Sequence, residues 1–422
     1  MYSCRISGRR GKVTMVRFEL KKMLCKTGGK IALLLLVAIV VICCWQAVSG
    51  VHYLDEKGNV QTGFTAVRKL RAMRKEWAGI LDEEMLRKVI AQNQSIAADP
   101  DFRSEDSKKI NALYSPVQGS SEIRALMICA YADGFRTYDY LCAYRVQPDQ
   151  ASQFYENRTR LLKEWLYSED AADEFSQPEK DFLIQRYEAL ETPLMMDYTE
   201  GWQQIAPYSK TVAMLGVIVL GYLLSGLFAG EFSLKSDALF FSSFHGRRRA
   251  VIAKVKAGFL LVTIVYWAMW LTYSGFVLVF LGVDGGNTPI QSAMGDWKSF
   301  YNITQWQKYL LMTFGGYVGC LSISAMTMWV SAATKSAILA AMVPWVLIFI
   351  PSFVQNLHFL DDVMALFPDR LLRVDESLGY FEMFELFGKV VGAIPLQFAI
   401  YIPVTLLLIP LIYQTYRKKQ LG

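Results

Sequence analysis

The sequence predicts an all-α membrane protein with six transmembrane helices and a large helical extracytoplasmic domain between the first two. Three observations predict it. Hydrophobic residues make up 53% of the 422 and charged residues only 19%, and the apolar excess is gathered in long runs. Six runs are long enough to cross a hydrocarbon core roughly 30 Å thick at about 1.5 Å per helical residue. Lysine and arginine are distributed unequally between the flanks of those runs, and about 160 polar residues separate the first run from the second.

The spans are 31–48, 210–230, 257–281, 309–331, 336–355 and 390–412. The fourth and fifth form a nearly continuous apolar stretch, divided by the small polar patch from Ser331 to Ser336, which reads as a tight turn in a helical hairpin. Ala47-Val48-Ser49 has the composition of a signal-peptide cleavage site, but the apolar core before it is longer than a typical signal core, so 31–48 is read as a span.

Orientation follows from the basic residues. The 1–30 flank, the 231–256 loop, the short turn at Lys335 and the 413–422 tail together hold nineteen Lys and Arg near the span ends. The two opposite loops hold five: Lys298, Lys308, Arg370, Arg373 and Lys389. Cytoplasmic flanks carry the excess, so both termini are expected inside. The formal net charge of +6 is thereby a topology signal, and no nucleic-acid partner is expected.

Along the cytoplasmic N-terminus, Val16, Leu20 and Leu24 recur at helical spacing while Arg17, Lys21 and Lys22 turn away. This fits an amphipathic interfacial helix with its lysines near anionic lipid headgroups. In the 49–209 region, 64–92, 121–145, 150–168 and 178–191 read as helices, 95–120 and 170–177 as loops, and no strand pattern stands out. Over 51–208 acidic residues outnumber basic ones by 26 to 19, which describes a solvated surface and specifies no ligand.

Of seven cysteines, only Cys129 and Cys142 share this region, and they read either as a disulfide or as two buried thiols. The three histidines are isolated, and no spacing suggests a metal site. In the 356–389 segment, residues 378–387 are almost wholly apolar. They read as a helix bearing Glu382 and Glu385 on one face, either dipping into the outer interface or re-entering, or packing against the outside domain. Glycines in the later spans, and Gly226 and Gly230 four apart in the second, fit close helix contacts.

No phosphate-cradling G-x-x-x-x-G-K-[ST] sequence occurs, nor a serine-hydrolase elbow or a metalloprotease helix signature, so the chain itself is expected to be neither an ATPase nor a hydrolase. The informative stretch is the loop after the second span. It runs from Phe228 through Glu231, Asp237, the apolar Leu239, Phe240 and Phe241, and a Ser242-Ser243-x-x-Gly246-Arg247 turn to Ala253-Lys254.

This loop resembles that of bacterial ABC-2 type transporter permeases. So do the amphipathic N-terminus, the single large outside domain, the basic tail and the return segment from Pro193 to Trp202. One departure is Lys235, where many relatives have glycine or another small residue. A generic positive-inside hairpin accounts for the arginines but not for the acid and the Gly-Arg pair together. The resemblance implies a permease subunit in the bacterial cell membrane, working as an exporter with a second permease copy or a related one. A separate ATPase subunit would bind ATP and Mg, touching the permease through Glu231, Asp237, Leu239, Phe240, Phe241, Gly246 and Arg247. The competing expectation is a non-transporting receptor or assembly protein whose outside domain binds a ligand or partner; six spans are more than an anchor needs.

Overall fold

The computed structural model describes residues 8–132, 134–136, 138–171, 173–233, 246–354 and 360–418. Among these, six helical stretches are long and apolar enough to cross a membrane: Thr27–Ser49, Glu200–Ser233, Arg248–Leu281, Gln305–Thr334, Ala337–Val354 and Ala393–Arg417. Each overlaps one apolar run of the sequence, and the chain is a multi-pass membrane protein. Ahead of them lies helix α1 (Gly8–Leu24), followed by the first span α2 (Thr27–Ser49). The hairpin turn near Lys335 forms because that residue takes a left-handed backbone conformation (φ 60°), ending one helix, while the Ser336 hydroxyl accepts the Leu339 N–H and starts the next.

Between the first and second spans the chain is mostly helical, but its helices are shorter than the periodicity suggests. The expected 64–92 helix is two, α3 (Phe64–Lys75) and α4 (Glu83–Ala98). Gly79 breaks it at φ +139°, a conformation side chains oppose, and Asp82 restarts it by accepting the Met85 N–H at 2.8 Å. The expected loop 95–120 instead contains α5 (Ser107–Tyr114), and α6 (Ser121–Tyr131), α7 (Phe154–Leu166) and α8 (Gln177–Glu188) follow.

Short strands are present too. In this region β1 (His52–Leu54) pairs antiparallel with β2 (Val60–Thr62), and β3 (Gly79–Ile80) with β4 (Met195–Met196). Two- and three-residue strands are too short to leave an alternating pattern. Two apolar cores form here. One gathers Leu86, Val89, Ile123, Met127 and Phe154 with Trp297 of the third-to-fourth connection; the other gathers Leu162, Leu183 and Tyr187 with Phe300 and Met383. Loops on the far side of the second span therefore complete both.

The second span comprises α9 (Glu200–Gln203) and α10 (Ala206–Ser233); the third is α11 (Val251–Leu281), and the fourth and fifth are α12 (Gln305–Thr334) and α13 (Ala337–Val354). Then come α14 (Asp361–Ala365), α15 (Val374–Gly379), the hairpin of β5 (Met383–Leu386) and β6 (Lys389–Gly392), and the last span α16 (Ala393–Arg417). The expected helix 378–387 is corrected by that hairpin, whose two-residue turn Phe387-Gly388 has φ of 52° and 74° at its two positions. Glu385 lies in β5 and Glu382 just before it, so the two share no helix face. Phe381 stacks within an aromatic group of Phe135, Trp165, Phe175 and Tyr187, so the segment packs against the inter-span helices.

Close helix contact falls on other glycines than the pair expected. A methyl group at Gly221 would lie 2.3 Å from the Pro344 ring and one at Gly258 would lie 2.3 Å from the Met328 sulfur, whereas at Gly226 and Gly230 it would meet nothing within 4 Å among the described residues.

Candidate functional site

Helix α10 reaches its end at Ser233, and α11 begins at Val251 after a single wide turn, Gly246–Ala250. The twelve residues that connect these two stretches lie outside the described residues, and with them Asp237, Leu239, Phe240 and Phe241. Gly246 and Arg247 open the wide turn; the Arg247 side chain is likewise outside the description. What the structure defines is the base on which the loop stands.

That base is a buried ion cluster. Glu231 sits in the last turn of α10, and Lys254 in the first turn of α11. The Lys254 ammonium is fully buried and donates to Glu231 Oε1 at 2.9 Å, to Glu19 Oε2 of α1 at 3.2 Å and to the Leu227 carbonyl at 2.8 Å. An ammonium has three protons, and all three are placed. Lys22 of α1 adds a second cation, 2.6 Å from Glu231 Oε1. Among the described residues, two carboxylates thus face two ammoniums where three helices meet.

Burying such charges costs several kcal/mol per ion in desolvation, which only well-placed partners offset. The arrangement supplies them, and the Leu227 carbonyl near the C-terminal end of α10 adds the favourable end of that helix dipole. Its consequence is mechanical: α1, α10 and α11 cannot separate at this point without exposing an unpaired charge.

Other contacts hold the same end of α10. Ser331 of α12 donates to the Ser225 carbonyl at 2.6 Å and accepts the Ala229 N–H at 3.1 Å. Tyr416 of α16 packs edge-on against Phe228 at 4.9 Å, and the Lys335 ammonium lies 4.8 Å over the Phe232 ring. Four helices, α1, α11, α12 and α16, and the turn at Lys335 therefore clamp the last turns of α10 before the loop.

Val16, Leu20 and Leu24 are half-buried and pack against the apolar core of the spans, so the stripe of α1 faces helices α10 and α11. Sequence reasoning picked out Glu231 but not Glu19, the second carboxylate on Lys254. A signal was available: Glu19 is the single acid in the otherwise basic α1. Cys129 and Cys142 are both buried free thiols, with no bond between them. Burial pushes Cys129 up to about 12 and Cys142 up to about 11, and the Cys142 thiol faces the Ile128 carbonyl at 3.8 Å.

A second charge network lies at the opposite ends of the spans. Buried Lys308 of α12 bridges Asp296 at 2.8 Å and Asp375 at 2.5 Å. Arg373 pairs with Asp369 at 2.6 Å and Glu376 at 3.2 Å, Glu376 pairs with Lys210 of α10, and Arg370 with Glu382 at 3.0 Å. Burial pushes the carboxyl of Asp369 up to about 6 despite its arginine, and raises those of Asp296 and Glu382. The inter-span helices join in through Arg74, which bridges Glu122 and Glu200, and through Arg71 and Lys75, both on Asp284. Sequence reading took Lys308, Arg370 and Arg373 as loop charges; they are the staples of this face.

Compared with family models, with curated proteins and with solved structures, the chain finds no match.

Proposed function

We propose that this chain is the membrane-spanning permease subunit of an ABC transporter, an exporter driven by a separate ATPase that holds ATP and Mg. The observation that carries the reading is the buried Lys254–Glu231 pair. It sits at the base of the loop that resembles the ATPase-contacting loop of ABC-2 permeases, and it is tied to α1 through Glu19 and Lys22.

A coupling loop has to pass force into the spans, so its base must be stiffer than the loop itself. A charge cluster in which all three Lys254 protons are placed, with four helices holding the end of α10, meets that requirement. In this reading both termini and the loop face the cytoplasm of a bacterial cell, and residues 49–209 lie outside. The chain supplies half of a translocation path, so a second copy or a related permease completes it. The enzymatic activity belongs to the partner.

The test is to place a photo-crosslinking residue at position 240 in cells and identify what it captures, with light scattering on the purified complex alongside. A captured subunit bearing a Walker A sequence, and a particle holding two permease chains, are the expected results. A monomer without any ATPase, with the crosslinker reacting only with lipid, overturns the proposal.

A further inference from the structure

Helices α1, α2 and α11 enclose a groove of about 460 Å³ that runs from Leu20 and Leu24 of α1 past Leu33 and Val41 of α2 and from Leu261 to Thr272 of α11. Thr272 is its sole polar lining residue among the described residues. From Leu261 to Thr272 is eleven helical steps, about 16 Å at 1.5 Å each, which is close to half of a hydrocarbon core roughly 30 Å thick. Its walls include the exposed side chains of Val37, Val41 and Ile264, so it opens sideways from the spans. A groove left empty there forfeits the dispersion contacts of its lining, and the molecules within reach at that depth are lipids.

The α1 end of the groove is basic. Arg17 precedes Leu20 and Lys21 precedes Leu24, each by three residues, and Lys30 precedes Leu33 of α2 by three. That spacing puts each cation about one turn from a groove residue, at the flank of the apolar stripe. All three are exposed, and among the described residues none pairs with a carboxylate. Lys22 of the same α1 is used up on Glu231. The helix thus divides its charges, one side locked in the ion cluster and the other offered beside the groove.

We propose that this groove is a binding site for one anionic phospholipid, its acyl chain between α2 and α11 and its headgroup on Arg17, Lys21 and Lys30. The lipid holds α1 down from the side opposite Glu19. The proposal requires a membrane-spanning chain but no ATPase partner, so it stands or falls separately from the permease reading.

The experiment uses the full chain in nanodiscs of mixed phosphatidylglycerol and phosphatidylcholine, extracted into mild detergent for native mass spectrometry. Wild type should retain one phosphatidylglycerol per chain in preference to phosphatidylcholine. Each cation near an anionic lipid is worth roughly fivefold in affinity, so Arg17→Gln, Lys21→Gln and Lys30→Gln together should weaken retention on the order of a hundredfold. Because these side chains are exposed and unpaired, the variant keeps its fold, which the melting temperature reports. Ala268→Trp fills the groove and should lower retention of either lipid. Equal retention of the two lipids by wild type, or full retention by the triple variant, overturns the headgroup assignment; full retention by Ala268→Trp overturns the acyl-chain placement.

Discussion

The Lys254 ammonium of α11 lies 2.9 Å from the Glu231 carboxylate of α10 and has no exposure to solvent, so these two residues fix the separation of the two helices that frame the loop. Removing one partner of a buried pair leaves the other charged in a poor solvent, which costs about 3–5 kcal/mol. Lys254→Met is therefore expected to be the most destabilising change in the cluster, since it strands Glu19 and half-strands Glu231. Glu19→Gln should cost less, because a side-chain oxygen remains for Lys254. Thermal unfolding in detergent ranks them, and a double-mutant cycle on Glu231 and Lys254 should give a coupling of about 1–3 kcal/mol. Additive losses would show that the pair does not act as a unit.

At the opposite face, Asp369 makes stability depend on pH. An ordinary aspartate titrates near 4, and burial pushes Asp369 up to about 6 although Arg373 pairs with it at 2.6 Å. Between those values the folded chain holds a proton that the unfolded chain has released. Its contribution to stability is therefore largest below about pH 4 and is lost as the pH rises through about 6, a change of about 2–3 kcal/mol. Asp369→Asn cannot lose that proton. The stability difference between Asp369→Asn and wild type should widen from pH 4.5 to pH 7 in favour of the variant, and a difference independent of pH would remove this account.

How far the sequence disclosed this molecule depends on the range of the forces involved. All six spans were legible because crossing a bilayer demands an uninterrupted apolar run, a purely local property. The break at Gly79 was not, since its cause includes pairing with Met196, more than a hundred residues away. Glu231 was legible through its place in a loop motif. Its partner Lys22, and Glu19, which shares Lys254 with it, were not, because each lies more than two hundred residues away in the chain. The 383–392 hairpin was missed because Met383 is buried while Leu386 and Phe387 stay exposed, which leaves its apolar run without a single buried face.

The glycines of α10 separate close contact from mere spacing. Gly221 abuts the rigid Pro344 ring, so Gly221→Val should destabilise by about 1–3 kcal/mol through overpacking. Gly226 meets nothing within 4 Å, and Gly226→Ala should be neutral or stabilising by up to about 1 kcal/mol, because alanine has less chain entropy to lose in a helix. Melting temperatures of the two variants in one detergent decide the matter. The reverse order would mean that Gly226, not Gly221, sits at a helix contact in the assembled protein.

The loop itself, outside the described residues, carries the sharpest consequence of the proposed function. If a short helix there inserts Phe240 and Phe241 into an ATPase groove, its apolar rings supply affinity while charges at its ends set its angle. Burying two aromatic side chains at an interface is worth on the order of 2–4 kcal/mol, so Phe240→Ala with Phe241→Ala should weaken the ATPase contact strongly. The base of the loop is held by the Lys254–Glu231 pair, so the double variant should still insert in the membrane. Arg247→Ala is expected to spare assembly and reduce transport, since orientation matters more to force transfer than to affinity. Lys254→Met should act in the third way, keeping the rings but loosening the base, so that the ATPase binds and its hydrolysis is uncoupled from transport. Copurification of the ATPase, nucleotide hydrolysis and nucleotide-dependent transport, measured on all three variants, separate these outcomes. Full binding and full transport by the double phenylalanine variant would reduce the loop to a connection between two spans.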